Sequence, residues 1–489
     1  MKKNAPHKIQ PNSLKLNFAL NTTRTVLNFL IPLAIFPYIS RVLEPDGFGK
    51  VEFANSIVSY FVLFTALGIP TYGMREIARV RDNAAERSQS VFELSIILAF
   101  TVVVGYIAYA VIINSVAQFA NQKTLFLIVA PTIFLSSFSF DWFYQGIENQ
   151  SYITLRYIIV KTIQIACIFL LVKQKEHFLR YAAISVGMNS ISALFNIVHL
   201  RKFVQLVPLR KLHASKHIKP VLIIFCSIIA TNVYTHLDVT MVGLFCGDTN
   251  VGLYTVANRV IRIVISIVTI FSVVIIPRLE NCLKNANEAE YVRYLNVSLN
   301  YILILALPFF LGIIALSSDI ITIFAGTKYL DAVQTIQLLS PIIVIVGLAH
   351  FVGMEILFPR RKEYLYTISV SVAAVANAVC NMILIPRFQQ NGAAIGTLVA
   401  EGLGLLLQIV FAQRYLKDTE LMSWNTVKYL IAALAMYFVI KLIPYINGNV
   451  LLHCALCSAI AVGVYGVMLL ALREKTAVLI FRSFICIQI

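Results

Sequence analysis

The stretch Val91-Phe-Glu-Leu-Ser-Ile-Ile-Leu-Ala-Phe-Thr-Val-Val-Val-Gly-Tyr-Ile-Ala-Tyr-Ala-Val-Ile-Ile-Asn-Ser-Val116 decides the fold. Beyond Glu93 it carries no charge. A helix rises about 1.5 Å per residue, so roughly twenty such residues cross a bilayer core of ~30 Å. The stretch lacks the two-residue alternation of a barrel strand, and only helices or closed barrels satisfy their backbone hydrogen bonds in lipid. It therefore reads as a membrane-spanning helix.

Working outward, runs of the same kind lie at 17–40, 51–69, 124–140, 152–172 and 179–200, which with 91–116 make a first set of six. A second set lies at 220–245, 251–276, 295–316, 336–358, 364–385 and 393–412, and two more follow at 424–443 and 450–472. The expected fold is an all-α integral membrane protein of fourteen spans, two six-helix lobes (1–205 and 206–415) followed by a two-helix appendage and tail (416–489). The composition agrees, with 59% hydrophobic and only 13% charged residues. Mean hydropathy is +0.81, well outside the soluble range for this length.

The net charge of +17 first suggests a nucleic-acid partner. Sorting the Lys and Arg by loop removes that reading. Most fall in the two tails and the even-numbered loops, among them Lys2, Lys3, Lys8, Arg75, Arg79, Arg81, Arg87 and the six between Arg201 and Lys219. This is the positive-inside bias, and it places both termini in the cytoplasm. The first residues lack a cleavable signal's pattern, so the first run is expected to stay as a helix. Cys454 and Cys457 form a C-x-x-C inside an apolar run, which reads as structural. No P-loop, zinc-protease or dinucleotide motif sits in a suitable context, so any energy source is expected to be an ion gradient, proton or sodium, a membrane potential or the substrate's own gradient, with no cofactor.

The basic loop from Arg201 to Lys219 separates two stretches that weakly repeat. Gly49-Lys-Val-Glu-Phe-Ala54-Asn55 follows the first run and Gly252-Leu-Tyr-Thr-Val-Ala257-Asn258 the seventh. Halves with even numbers of spans share an orientation, so a duplication would relate them by an axis along the membrane normal. Gly392, Gly396, Ala400 and Gly404 recur every four residues, a pattern that lets helices approach closely.

A charge at mid-bilayer costs at least ~2.5–3.5 kcal/mol, so charges inside spans face protein or water and are functional candidates. Asn17, Asn21, Arg24 and Asn28 share one helix face and read as an anion site in a cavity, against snorkelling of Arg24. Asp238 and Arg259 lie at equal depth on successive helices. They read either as a structural ion pair or as groups that couple substrate or protons. Arg262, three residues after Arg259, is then left without an obvious partner and becomes a ligand candidate. Lys161 is either ligand or buried pair, Arg156 is expected to snorkel, and Glu401 could carry a proton. For His350 and Glu355 a packing or hydrogen-bonding role is expected. Deep cations outnumber deep acids, so an interior cavity would draw anions, and guanidinium suits phosphate.

The segment Pro37-Tyr-Ile-Ser-Arg41-Val-Leu-Glu-Pro-Asp-Gly47-Phe-Gly49, with Leu67-Gly68 and Gly73-Met-Arg75-Glu-Ile-Ala-Arg79, resembles the opening of the polysaccharide transport family, the O-antigen and capsule repeat-unit flippases. Asp238-Val-Thr-Met-Val-Gly243 and Val251-Gly252-Leu-Tyr254-Thr-Val-Ala257-Asn-Arg259 resemble its seventh and eighth helices. Glu44 departs from the Gly expected in many members. The resemblance implies a V-shaped, two-lobed bundle of the multidrug/oligosaccharidyl-lipid/polysaccharide exporter type. It implies a cargo of oligosaccharide joined through pyrophosphate to undecaprenol, moved from inner to outer leaflet by alternating access around a central site, the lipid tail lying in a groove at the lobe interface. No covalent bond is made, so no enzyme activity is expected, and the pathway's polymerase and glycosyltransferases are the expected partners besides membrane lipid. A lipid II flippase and a cation-coupled multidrug antiporter are the alternatives. A drug antiporter should hold acidic residues in its cavity, and a glycosyltransferase or polymerase should carry a larger loop than any here.

Overall fold

The computed structural model describes residues 14–416, 419, 423–445 and 448–474. Among them every regular element is a helix, and twelve stretches are long and apolar enough to cross a membrane. The first of these, Lys15–Arg79, contains both of the first two expected spans, and the helix Ser215–Cys246, which covers the expected span at 220–245, is not among the twelve. Large apolar side chains such as Phe100 and Val273 point outward, 70% and 72% exposed. Such a surface is stable in lipid and costly in water. The chain is a multi-pass membrane protein.

The chain divides into two compact units between Leu244 and Phe245. The first contains α1 (Leu14–Ala66), α2 (Ile69–Arg79), α3 (Ala84–Ser115), α4 (Ala117–Ala120), α5 (Lys123–Val129), α6 (Pro131–Ser137), α7 (Asp141–Gly146), α8 (Gln150–Leu171), α9 (Phe178–Leu200) and nearly all of α10 (Ser215–Cys246). α1 is two helices joined at Glu44, whose φ of 56° and ψ of 175° are not helical. Pro45 disfavours helical geometry at the residue before it, and the left-handed φ explains why a Gly is the expected occupant.

α2 packs on α7, and the contact is close because residue 73 is Gly: a Cβ there would lie 2.6 Å from Cε3 of Trp142. Around it Ile77, Leu94, Leu98, Trp142 and Tyr144 form one buried apolar cluster. α3 begins at Asn83, whose side chain accepts from the amides of Ala85 and Glu86.

The basic loop after α9 is strapped along the start of α3. Arg87, 2% exposed, donates Nη2 to the Phe203 carbonyl at 2.9 Å. The Gln205 amide donates to Ser88 Oγ at 3.0 Å, and Gln89 Nε2 donates to the Lys211 carbonyl at 2.9 Å. Glu93, fully buried, accepts the His213 amide at 2.8 Å, Lys216 Nζ at 2.7 Å and His217 Nε2 at 2.8 Å. The start of α10 is thereby tied to α3.

The second unit contains α11 (Asp248–Lys284), α12 (Glu288–Ala325), α13 (Ala332–Leu339) and α14 (Ile342–His350), which continues into a π-helical turn at Phe351–Leu357. α15 (Glu363–Phe388), α16 (Gln390–Ala412), α17 (Trp424–Leu442) and α18 (Val450–Ala471) follow. α15 and α16 lie in intimate contact because Gly392 sits against the Leu384 carbonyl and Gly396 against the Asn381 side chain, where no Cβ would fit. The four-residue spacing of small residues therefore serves packing. Side-chain hydrogen bonds hold α17 and α18 on α12: His453 Nδ1 lies 2.5 Å from Asp319 Oδ2, the Tyr429 hydroxyl lies 3.1 Å from Asn300 Oδ1 and 3.0 Å from Glu474 Oε1, and the Tyr465 hydroxyl donates to the Ile304 carbonyl.

Candidate functional site

In the first unit the basic residues predicted from α1 and α8 come together. Thr154 Oγ1 on α8 donates to the Leu20 carbonyl on α1 at 3.3 Å, which sets the two helices side by side. Arg24 donates Nη2 to Asn21 Oδ1 at 3.4 Å, and its Nε makes no hydrogen bond among the described residues. Lys161 Nζ stands 6.0 Å from the centre of the Tyr157 ring. Lys161 donates to Gln164 Oε1 at 2.8 Å. Neither Arg24 nor Lys161 has a carboxylate within ion-pair distance among the described residues. Two cations without an acid, on the adjoining helices α1 and α8, form a patch suited to an anion. Asn28 is exposed on the same helix, and Asn17 is partly buried.

Arg156 does not snorkel. It is 8% exposed, pairs with Asp141 Oδ1 at 2.7 Å and donates to the Ser192 carbonyl at 3.1 Å. Asp141 also accepts Asn196 Nδ2 at 2.8 Å, so the α7 acid, which sequence reasoning passed over, neutralises the charge.

In the second unit Arg262 has a partner after all. Its Nη2 lies 4.0 Å from Glu401 Oε1 on α16, with the two side chains 42% and 18% exposed. The contact is long and wet, worth little, and leaves most of the guanidinium's donors open. Glu401 is thus tied to Arg262 as well as being a proton-carrier candidate. Asp238 is 6% exposed in the first unit and Arg259 is partly buried in the second, so their pairing stays an expectation. Glu355 is fully buried and accepts Ser272 Oγ at 2.5 Å and Ser298 Oγ at 2.9 Å, a hydrogen-bonding role that holds α11, α12 and the π-helical turn together.

Each unit also holds a cavity. That of the second unit, about 1010 Å³, is walled by α11, α12, α17 and α18, with Val264, Phe271, Tyr301, Phe309, Met436 and Tyr465 among its lining. It is almost wholly apolar, and the Tyr465 hydroxyl is engaged by the Ile304 carbonyl at 3.0 Å. Nothing in the hydrophobic pattern announced it, since an apolar face toward a cavity and one toward lipid look alike in sequence. The first unit's cavity, about 580 Å³, is lined by α1, α2, α6, α9 and α10 and has a mixed polar and apolar wall.

Comparison with known proteins gives a consistent result. The family model described as "Polysaccharide biosynthesis protein" matches residues 14–282. A relative from Escherichia coli (strain K12), named "Putative O-antigen transporter", is 23% identical over 390 residues, covering 79% of this chain and 93% of that one. Among solved structures, the lipid II flippase MurJ in an inward closed conformation superposes with a TM-score of 0.74 at 18% identity, covering 94% of this chain and 99% of that one. An inward-facing multidrug resistance MATE family transporter of the MOP superfamily gives 0.62 at 11% identity, over 83% of this chain and 99% of that one. At such identities these likenesses show the fold.

Proposed function

The chain belongs to the polysaccharide biosynthesis protein family, and from that premise we propose that it is a flippase moving undecaprenyl-pyrophosphate-linked oligosaccharide repeat units from the inner to the outer leaflet of the bacterial cytoplasmic membrane. The observation that carries the reading is the apolar cavity of the second unit. A cavity of about 1010 Å³ with almost no polar wall offers a hydrocarbon chain a place that water and charged solutes would avoid. Small-molecule pockets of that size, on the order of 300–1,000 Å³, usually carry several polar groups that orient the ligand.

The basic side chains suit the other end of the same molecule. Arg24 and Lys161 carry no acid to neutralise them among the described residues, and Arg262 keeps only a 4.0 Å contact with Glu401. A pyrophosphate arriving at Arg24 and Lys161 in the first unit, or at Arg262 in the second, gains charge-assisted hydrogen bonds, and guanidinium presents the planar fork that phosphate oxygens match. Exchange of Glu401 for a phosphate at Arg262, with Glu401 as the proton carrier, offers one route for coupling to a proton gradient; a sodium gradient is the other. The step is translocation by alternating access, without bond making or breaking, in line with the transporter names of the relatives.

The topology that goes with this reading has fourteen spans. The two arms of α1 on either side of Glu44 count separately, and α10 is added to the rest. Both termini lie in the cytoplasm, and the lobes are those drawn at 1–205 and 206–415, with 416–489 appended. Glycosyltransferases that build the repeat unit and a polymerase that consumes it are the expected neighbours.

Lipid II shares the undecaprenyl pyrophosphate and is the second reading, supported by the fold likeness to a lipid II flippase. A cation-coupled multidrug antiporter fits less well, because Arg24 and Lys161, candidate charges with no carboxylate partner among the described residues, are basic. The test is transport in vesicles containing the purified chain, with a fluorescent lipid-linked oligosaccharide, lipid II and a cationic dye as cargoes. Faster movement of lipid-linked oligosaccharide than of the other two is expected; movement of the dye alone would overturn the proposal.

A further inference from the structure

The first unit's cavity differs in chemistry from the apolar cavity of the second unit and from the basic patch of Arg24 and Lys161. No Lys, Arg, Asp or Glu lines it among the described residues, so it is built for neither an anion nor a cation. Its polar wall consists of hydroxyls, amides and one imidazole. Serine and threonine in membrane helices commonly satisfy themselves on the carbonyl one turn back, as Ser59 does on Asn55 and Ser137 does on Ile133. Thr132 and Ser136 line the cavity and make no hydrogen bond among the described residues, and the same is true of the side-chain amides of Asn55 and Asn189. Four uncommitted polar side chains from α1, α6 and α9 thus converge on one space. Tyr60 and His236, 6.2 Å apart between centroids and nearly perpendicular at 79°, add two flat faces.

Free donors and acceptors beside flat ring faces, without net charge, suit a saccharide, whose rim of hydroxyls wants hydrogen bonds and whose C–H faces want an aromatic surface. The volume, about 580 Å³, falls in the range of ~300–1,000 Å³ that ligand pockets occupy. The cavity also lies beside the anion patch. Lys161 Nζ donates to Gln164 Oε1 at 2.8 Å, and Gln164 Nε2 reaches Ser185 Oγ, a lining residue, at 3.4 Å. One glutamine therefore bridges the cation that would hold a phosphate and the wall of the neutral cavity.

We propose that this cavity is a saccharide subsite that receives the sugar next to the pyrophosphate of the cargo, with Asn55, Ser136 and Asn189 as its hydrogen-bonding residues. This rests on the flippase reading above. It gives the Asn of the Gly49–Asn55 motif a role that the sequence repeat alone did not supply.

Binding of two probes to the purified full chain separates the two ideas: undecaprenyl pyrophosphate, and undecaprenyl pyrophosphate carrying one N-acetylglucosamine. The wild-type protein is expected to bind the sugar-bearing lipid about tenfold more tightly. Joint Ser136→Ala and Asn189→Ala substitution should bring the two affinities within about twofold of each other while leaving that for the bare lipid unchanged. Asn189 is exposed toward solvent-accessible space, so the single Asn189→Ala protein, expected to lose about threefold in preference, stands in if the double variant does not fold. Arg24→Ala should weaken both probes equally. A preference that survives loss of Ser136 and Asn189, or wild-type protein that binds both probes alike, overturns the subsite alone. Wild-type protein that binds neither overturns the flippase reading with it.

Discussion

Replacing Glu93 tests how the loop between the two sequence halves is held. Its carboxylate is fully buried and receives Lys216 Nζ at 2.7 Å and His217 Nε2, Gln89 Nε2 and the His213 amide each at 2.8 Å. These donors do not matter equally. Lys216 is 48% exposed, and a pair with one end in water contributes about 0–1 kcal/mol. His217 is 1% exposed, with Nδ1 facing the Tyr72 hydroxyl at 2.7 Å, so its Nε2 has nowhere else to turn. Glu93→Ala strands that donor and the His213 amide, at about 1–3 kcal/mol each, for a total of roughly 2–6 kcal/mol. Glu93→Gln keeps an acceptor and forfeits the charge-assisted part, about 1–2 kcal/mol. Survival of the monodisperse protein peak after heating in detergent should therefore fall in the order wild type, Lys216→Ala, Glu93→Gln, Glu93→Ala. Glu93→Ala should also open the loop to trypsin at Arg210 and Lys211. Lys216→Ala as harmful as Glu93→Ala, or Glu93→Ala without effect on either readout, would refute the argument.

Further outcomes follow from other parts of the molecule. Glu44→Gly should raise thermal stability, since relief of a left-handed conformation, about 1–3 kcal/mol, exceeds the entropy cost of a glycine, about 0.4–1 kcal/mol; an unchanged or lower melting point would count against strain at that joint. Gly466 lines the apolar cavity, and a Cβ there meets nothing within 4 Å, so Gly466→Phe should fill the space without loss of stability and reduce transport at least about tenfold in the vesicle assay. Full transport by that variant would remove the cavity from the mechanism. Arg24→Ala and Arg262→Ala should each abolish surface polysaccharide in cells while protein levels in the membrane hold, and normal polymer in both would dismiss the anion site. If Asp238 and Arg259 form a pair, exchanging the two charges should restore part of the transport lost in either single change, whereas independent roles give no rescue.

Local pattern carried the helices, and it did so because crossing lipid imposes a length and an apolarity that no neighbouring element can supply. The stretch 91–115 is a helix whichever faces it meets. The same logic singled out Arg24 and Lys161, since a charge within such a stretch is costly wherever it points. Which charge meets which was a different matter. Asp141 reaches Arg156 from a short helix, Glu401 reaches Arg262 across more than a hundred residues of chain, and Glu93 gathers a loop that lies far downstream. Apolar helices resemble one another too closely for sequence to say which sides meet, so partners, and the cavities left between them, arise only when the helices pack. That is why the basic residues could be named from the chain alone, while the fatty cavity of the second unit and the neutral one of the first belong to the tertiary structure.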